Sequence, residues 1–579
     1  MNWIRYGLLE RGDIRVTIQN VQPTTAASIQ NFRLPRWTFD RFVPKVTPTN
    51  NIGMSTTTYD TVLYPSFTHS QTHPSRLAVV GTLMGLKPAP PANCRLLEIG
   101  CGDGTNLAPM AWAYPESKFV GVDLASKPIA LGQEMVRALG LRNIDLHCAD
   151  LLAIDESWGK FDYIIAHGLY SWVPLEVRNH LLALCRKLLN PHGLAFISYN
   201  ALPGGHLRTM IREMMLFHVR GAEDPDQRVT QAKALVKFLS DGQNGPDEYR
   251  AWMKAELDRV LEHQPGYLFH DQLAAINKPL YFSQFVQHAA QHGLQYLAEA
   301  DYFEMSAHGF NEEIRKTLEQ LAGNRVLREQ YLDFLKCRRF RQTLLCHHEV
   351  PLQPRPRPEQ VLEFTVTSPA RCVSNQVNLA PGVPSVFQAP NGARCETDYV
   401  LGKAALAVLS PLCPVHLTID ETLNRALKAL SEAGVTLPQP SHPAKAASRE
   451  ELCDELAAFL LTIYGAGLVD FRTGLPQAAI ELSDRPVAFP VARWEAGRRD
   501  FVTSLFHIAV KVEDEIGKHL LLWLDGTRDR DMLAQDLWNF LKSRDALVLK
   551  DGEEAARREL TSKLEENLNK LARLGLLVA

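Results

Sequence analysis

Residues 95–106 read Arg-Leu-Leu-Glu98-Ile-Gly100-Cys-Gly102-Asp103-Gly104-Thr-Asn106, a short apolar run closed by an acid and then by alternating glycines. An apolar run of this length, followed by Gly-x-Gly-x-Gly and a helix-like stretch, is a strand–turn–helix unit that opens a nucleotide-type site. The glycines let the backbone turn sharply and let a ligand lie against it with no Cβ in the way. The next apolar run, Phe119-Val-Gly-Val-Asp123, ends in a carboxylate placed to accept hydrogen bonds from two ribose hydroxyls.

Charge narrows the nucleotide. A dinucleotide fingerprint is Gly-x-Gly-x-x-Gly, and neither frame fits: Thr105 or Leu107 stands where the third glycine should be. Asp103 also sits in the turn, where a pyrophosphate would meet like charge at the helix N-terminus. S-adenosylmethionine (SAM) carries a sulfonium and an ammonium and no phosphate, so Glu98 and Asp103 suit it. The order Glu-x-Gly-x-Gly-x-Gly, then a strand ending in Asp, resembles class I SAM-dependent methyltransferases. Taken alone, the glycine triplet is also compatible with a purely structural turn or with another nucleotide.

Further residues fall where strands should end. Asp150 follows the third strand, where class I enzymes place an acid or polar group on the adenine amino group; capping the turn from Leu151 onward is the equal alternative. The exit of the fourth strand carries His167, Tyr170, Ser171 and Trp172, which should border the transferred methyl. Packing of Tyr170 and Trp172 against the following helix is the competing reading. Ser198-Tyr199-Asn200 and Pro203-Gly204-Gly205 leave the fifth strand on the same edge. His270-Asp271 and Asn277 could line an entrance or serve as caps and turns. Upstream, Tyr59, Tyr64 and His73 either form a lid over the ligand or pin the first helix.

These residues need a scaffold. From residue 94 to about 200 strand and helix patterns alternate with short turns, predicting a doubly wound α/β sheet. Strands are expected at Arg95–Ile99, Lys118–Val122, Ile144–Cys148, Phe161–Ala166 and Leu194–Ser198. A helical insertion covers about 206–265, and one long helix is expected over Glu312–Phe334. Leu294–Glu299 and an antiparallel Arg341–His347 should complete the sheet. Residues 54–350 thus form the core, and Met1–Gly53, with little periodicity, reads as a disordered extension preceding a natural start at Met54. Pro351–Pro358 reads as a stiff, extended linker. Residues 359–480 and 481–579 form an α+β half with winged-helix-like modules, since Tyr399–Val469 and Leu520–Val578 each run through amphipathic helices into Gly-Leu-Val or Gly-Leu-Leu-Val.

Composition is that of an ordinary globular chain of 579 residues, 46% hydrophobic and 22% charged. A net charge of −3 gives no electrostatic reason to expect nucleic acid or an acidic membrane as partner. The 10 cysteines include no Cys-x-x-Cys, so neither a metal site nor a disulfide framework is expected. No apolar run approaches a membrane span and no signal peptide is evident, so a cytoplasmic protein is expected.

The motifs together resemble a bacterial family with a class I core and a methyltransferase regulatory domain, including the rickettsial protein lysine methyltransferases. The resemblance is carried by Tyr59-Asp60…Tyr64-Pro65, Thr72-His73-Pro74, Leu97–Asn106, Gly121-Val-Asp123-Leu124, His167–Pro174, Ser198-Tyr-Asn200, His270-Asp271 and Arg339–Leu345. It implies SAM contacts at Glu98, Gly100, Gly102, Asp103, Gly104, Asn106, Asp123, Leu124, Asp150, Leu151 and His167. Catalytic candidates are His167, Tyr170, Tyr199 and Asn200; substrate-lining candidates are Tyr59, Tyr64, Trp172, His270 and Asp271. The acceptor implied by analogy is a protein lysine. A small-molecule methyltransferase whose C-terminal half serves dimerisation or regulation is the alternative, and a homodimer is one assembly that half could support.

Overall fold

The computed structural model describes residues 57–579 except 244, 246, 322, 354, 438–447, 477–481, 513, 545 and 548–551. The expected extension at 1–53 therefore lies outside the described residues. Seven strands build the central sheet: β1 (Arg95–Ile99), β2 (Lys118–Asp123), β3 (Ile144–Cys148), β4 (Phe161–Ala166), β5 (Leu189–Asn200), β6 (Leu294–Glu299) and β7 (Phe340–His347). Their order is β3-β2-β1-β4-β5-β7-β6, parallel except for β7, which runs antiparallel to both neighbours. The chain reverses at β1, so the carboxyl ends of β1, β2 and β4 open a crevice there.

Apolar side chains on both faces hold the sheet between helices. Leu96, Phe119 and Phe196 face one layer with helix Pro74–Leu83, while Leu97, Ile197 and Tyr199 face the other with helices Leu175–Leu188 and Phe282–Gln291. Helices Gly205–His218, Pro225–Asp241 and Glu248–Leu261 form the insertion around their own core of Met215, Val236 and Leu257. The single helix expected over Glu312–Phe334 is two, Glu312–Gln320 and Arg325–Lys336. Asn324 breaks it by accepting the Leu327 N–H as the cap of the second.

The Pro-rich segment does not hold the two halves apart. The Gln353 N–H donates to Met84 O and the Gln360 amide donates to Thr82 O, both at the end of helix Pro74–Leu83. Val79 and Leu83 of that helix are fully buried in the same cluster as Val361, Phe364, Leu406 and Phe471. Burying two such side chains contributes roughly 1.5–3 kcal/mol each.

Beyond the segment, one layout occurs twice. In the first module β8 (Thr365–Thr367) pairs with both β12 (Leu417–Thr418) and β13 (Asp470–Arg472), around helices Val400–Leu412, Ile419–Glu432 and Arg449–Tyr464. Strands β9 (Arg371–Cys372), β10 (Ser385–Gln388) and β11 (Arg394–Thr397) are inserted after β8. In the second, bridges Val487–Asp525 and Ala488–Leu577 play the same part around helices Glu515–Trp523, Arg530–Ser543 and Glu553–Arg573. Its insertion is helix Pro490–Ala496 and a hairpin of β14 (Phe501–Thr503) and β15 (Ala509–Lys511). This is the winged-helix-like order. Among the described residues no helix is long and apolar enough to cross a membrane.

Candidate active site

Gly100, Gly102 and Gly104 all take positive φ, so the turn after β1 coils in a conformation side chains resist. A Cβ on Gly102 would meet nothing within 4 Å, which leaves its face open to a ligand. The turn is fixed from outside: the Gly102 N–H donates to Asp123 Oδ2 at 2.9 Å, and Ala125 N–H to Oδ1. Burial raises the Asp123 pKa against those two amides. Glu98, 3% exposed, accepts from Asn106 Nδ2 through Oε1, while its Oε2 is buried with no partner. Burial lifts its pKa to about 8, opposed by the Asn106 bond. An orphaned carboxylate oxygen beside an open glycine cradle, with a second acid at the next strand end, fits SAM's ammonium and ribose.

Asn106 is a junction. Its Nδ2 also donates to Thr72 Oγ1, and its Oδ1 accepts from the His69 N–H and from His507 Nε2 of the second module. Residues 57–73 cross this edge as a lid. Asp60 caps helix Ser126–Ala138 by accepting from Lys127 N–H and Ser126 Oγ. Tyr59 stacks on His270 with ring centroids 4.0 Å apart, and the Tyr64 hydroxyl donates to Asp271 at 3.3 Å. His270 Nε2 donates to Val62 O. Burial, then the charges of Asp271 and Asp123, push Tyr59 up to about 12.

At the ends of β4 and β5, Ser198 Oγ accepts from Gly168 N–H and bonds His167 Nδ1 at 3.0 Å. The His167 ring lies 4.0 Å from that of His69. Burial, then His69, hold the His167 pKa well below the usual imidazole value; burial brings His69 to about 4. Both rings are neutral. Asn200 donates to Asn277 Oδ1 and accepts from Arg208, which also pairs with Asp271 at 3.3 Å and lies over Trp172. One cluster therefore gathers Asn200, Trp172, Tyr59, Tyr64, His270 and Asp271, while His167 sits with Ser198 and His69 at the neighbouring strand ends.

Several expected residues are placed differently. Tyr170 and Tyr199 turn into the helical layer, both against Phe285. The Tyr170 hydroxyl donates to His288 Nδ1, because His288 Nε2 already donates to Asn179 Oδ1. The Tyr199 hydroxyl donates to Thr343, whose own hydroxyl donates to Glu299 in the buried Arg341 network. For Tyr199 the physical reason is strand alternation: 197 and 199 face the helices while 198 and 200 face the site, whereas Tyr170 lies in the short turn Tyr170–Trp172 beyond β4. Asp103 does not face the cradle. Its Oδ1 accepts from Thr105 N–H and Oγ1, and its Oδ2 from Arg499 at 2.6 Å. Asp150 accepts from Leu152 N–H, the capping alternative, which sets Leu151 in the core; Leu124 is exposed after Asp123.

His69, Arg208, Arg499 and His507 escaped the sequence reading. Arg499 and His507 lie 396 and 401 residues from Asp103 and Asn106, and no local motif marks them. The described residues include no group of three or more His, Cys, Asp or Glu placed to hold a metal.

Comparison with known proteins places family models along the chain. Residues 96–193 match a methyltransferase domain, 264–347 a predicted methyltransferase regulatory domain, and 484–576 the C-terminal winged helix domain of PKMT. An uncharacterised protein of Rickettsia prowazekii is 36% identical over 389 residues, 66% of this chain and 68% of its own length. A second from that organism is 42% identical over 232 residues, 40% of this chain and 93% of its own. PKMT2 from Rickettsia typhi superimposes with TM-score 0.77 at 28% identity, over 89% of this chain and 100% of that one. Its complex with AdoHcy gives 0.76 at the same identity and coverage.

Proposed function

Because this chain belongs to the rickettsial PKMT-like family of class I SAM-dependent methyltransferases, we propose that its methyl acceptor is the side-chain amine of lysine in a protein. The observation that carries this reading is the strand-edge cluster: aromatic Tyr59 and Tyr64 on His270 and Trp172 under Arg208, with Asp271 paired to Arg208 and the neutral imidazole of His167 at the neighbouring strand end. An aliphatic amine entering such a wall loses water, and desolvation lowers its pKa toward the reactive neutral form. In water, with a pKa near ~10.4, well under about 0.1% is neutral at pH 7.

When bound, SAM supplies a methyl on a positive sulfur, ready for in-line displacement. In our reading Asp123 would hold its ribose, the free Glu98 oxygen its ammonium, and exposed Leu124 would flank the base. Transfer would form the nitrogen–carbon bond as the carbon–sulfur bond breaks, with a neutral thioether leaving and the surplus amine proton passing to water. Asn200 and Tyr64 orient the amine, and His167, its Nδ1 held by Ser198, accepts a hydrogen bond from it. Orientation is the larger part of catalysis for such a displacement. Tyr170 and Tyr199 are then packing residues, since both rings turn into the helical layer against Phe285.

The test is incubation with methyl-labelled SAM and fractionated bacterial extract. Label in the protein fraction is expected. Label confined to small metabolites would overturn the protein acceptor and favour the small-molecule reading.

A further inference from the structure

The second winged-helix module reaches the glycine turn with two polar side chains that no cofactor motif includes. Arg499, just after helix Pro490–Ala496, donates from Nη2 to Asp103 Oδ2 at 2.6 Å and from Nη1 to Thr105 Oγ1 at 2.7 Å. His507, in the bend of the β14–β15 hairpin at φ 58°, donates from Nε2 to Asn106 Oδ1 at 2.9 Å. Asn106 in turn donates to Glu98, whose other oxygen is free and buried. Both contacts thus end on residues that shape the cradle.

We propose that Arg499 and His507 are positioning residues for SAM, so that the docked C-terminal module completes the cofactor site and cofactor affinity reports whether it is docked. The inference rests on the assignment of the turn after β1 to SAM. Asp103 is 7% exposed, and a buried carboxylate deprived of its cation must find water or move. It is attached to the turn by its own Thr105 bonds, so its movement displaces Gly102 and Gly104. Arg499 supplies a fork of two donors that fixes both the carboxylate and the threonine hydroxyl, a geometry lysine cannot reproduce. On the other side of the cradle, His507 fixes the rotamer of the amide that holds Glu98. Neither residue needs to touch SAM. The coupling is reciprocal: bound ligand must tighten the module's docking by the factor that docking tightens the ligand. A partner that lifts this module would release the cofactor.

Calorimetry with S-adenosylhomocysteine on the full chain tests this. R499M is expected to weaken binding at least about tenfold, D103N to weaken it as well, and R499M to add less than about twofold in the D103N background. R499K should fall between wild type and R499M, and it carries the test alone if R499M does not fold. With the protein acceptor, R499M should raise KM for SAM while kcat at saturating SAM stays near wild type. Ligand should slow hydrogen exchange across residues 499–511 in wild type and not in R499M. Equal affinity of R499M and wild type would overturn the proposal, as would an equal loss in both backgrounds. Failure of the wild type itself to bind would instead strike the cofactor assignment.

Discussion

The two C-terminal modules share a layout and are seated at different places on the core. The first is joined to helix Pro74–Leu83 through fully buried Val79 and Leu83, which lie inside its own apolar cluster, and through the Arg76–Asp470 ion pair and the Arg472–Ser75 hydrogen bond, none of them on the glycine turn. The second packs only partly buried Trp112 and Leu139 against its core, and its more specific contacts are the polar ones on Asp103, Thr105 and Asn106. A seat away from the glycine turn contributes stability and does not bear directly on what occupies the cradle. A polar seat on the cradle itself contributes less to stability, and it changes when the cradle does. On our proposal, one layout used twice serves as a buttress in the first module and a sensor in the second.

The largest expected effect is at the buttress. Severing the chain within Pro351–Pro358 should leave residues 54–350 unable to fold cooperatively, because Val79 and Leu83 lose the cluster that buries them. Circular dichroism and dye binding check this. A soluble fragment with a sharp melting transition would show that helix Pro74–Leu83 is self-sufficient. Leu83→Ala in the full chain should cost about 2–5 kcal/mol in chemical unfolding while ligand affinity stays within about twofold.

At the cradle the order reverses. Asp123→Ala should weaken binding of S-adenosylhomocysteine by roughly 10–150-fold, from the ~1.5–3 kcal/mol of a charged hydrogen-bonding partner. Unchanged affinity in calorimetry would remove Asp123 from the ribose.

Glu98 sharpens the contrast because it trades stability for binding. Its folded pKa, about 8, lies above the unfolded carboxylate value, so the native state holds a proton the unfolded state has lost. Its contribution is fully present below the unfolded value and falls as pH rises toward about 8. Glu98→Gln should therefore raise the melting temperature of the ligand-free protein by a few degrees at pH 8, the gap closing toward pH 4.5, and yet weaken ligand binding. Melting curves that do not separate with pH would place Glu98 in a solvated environment.

The smallest effect is expected for Tyr199→Phe and Tyr170→Phe. Turnover should stay within about threefold, with a stability loss of ~0.5–1.5 kcal/mol for each lost hydrogen bond. A collapse of kcat would return these hydroxyls to the chemistry.

The sheet was legible because apolar runs bounded by glycine and proline state their period locally, and Glu98 and Asp123 were legible because they end such runs. The direction of Tyr199 was present in the sequence, since counting from Ser198 by twos separates the two faces of β5; Tyr170 lies in a turn beyond β4, where no such period applies. The split at Asn324 was masked by apolar periodicity continuing on both sides of the cap. The Pro-rich segment does mark a boundary in composition, but Gln353 and Gln360 pin it to helix Pro74–Leu83, a contact across 278 residues for Gln360 and Thr82 that no local pattern encodes. Arg499 and His507 were illegible for the same reason. Nothing near them distinguishes a cradle contact from any exposed Arg or buried His.

The most direct test of the account is chemical identification of the methylated atom. Protein labelled by the full chain and methyl-labelled SAM should be hydrolysed and its amino acids separated. The account predicts label in Nε-methylated lysine, forming faster as pH rises until the bound amine is neutral. Label in any other amino acid, or none in protein, would contradict it.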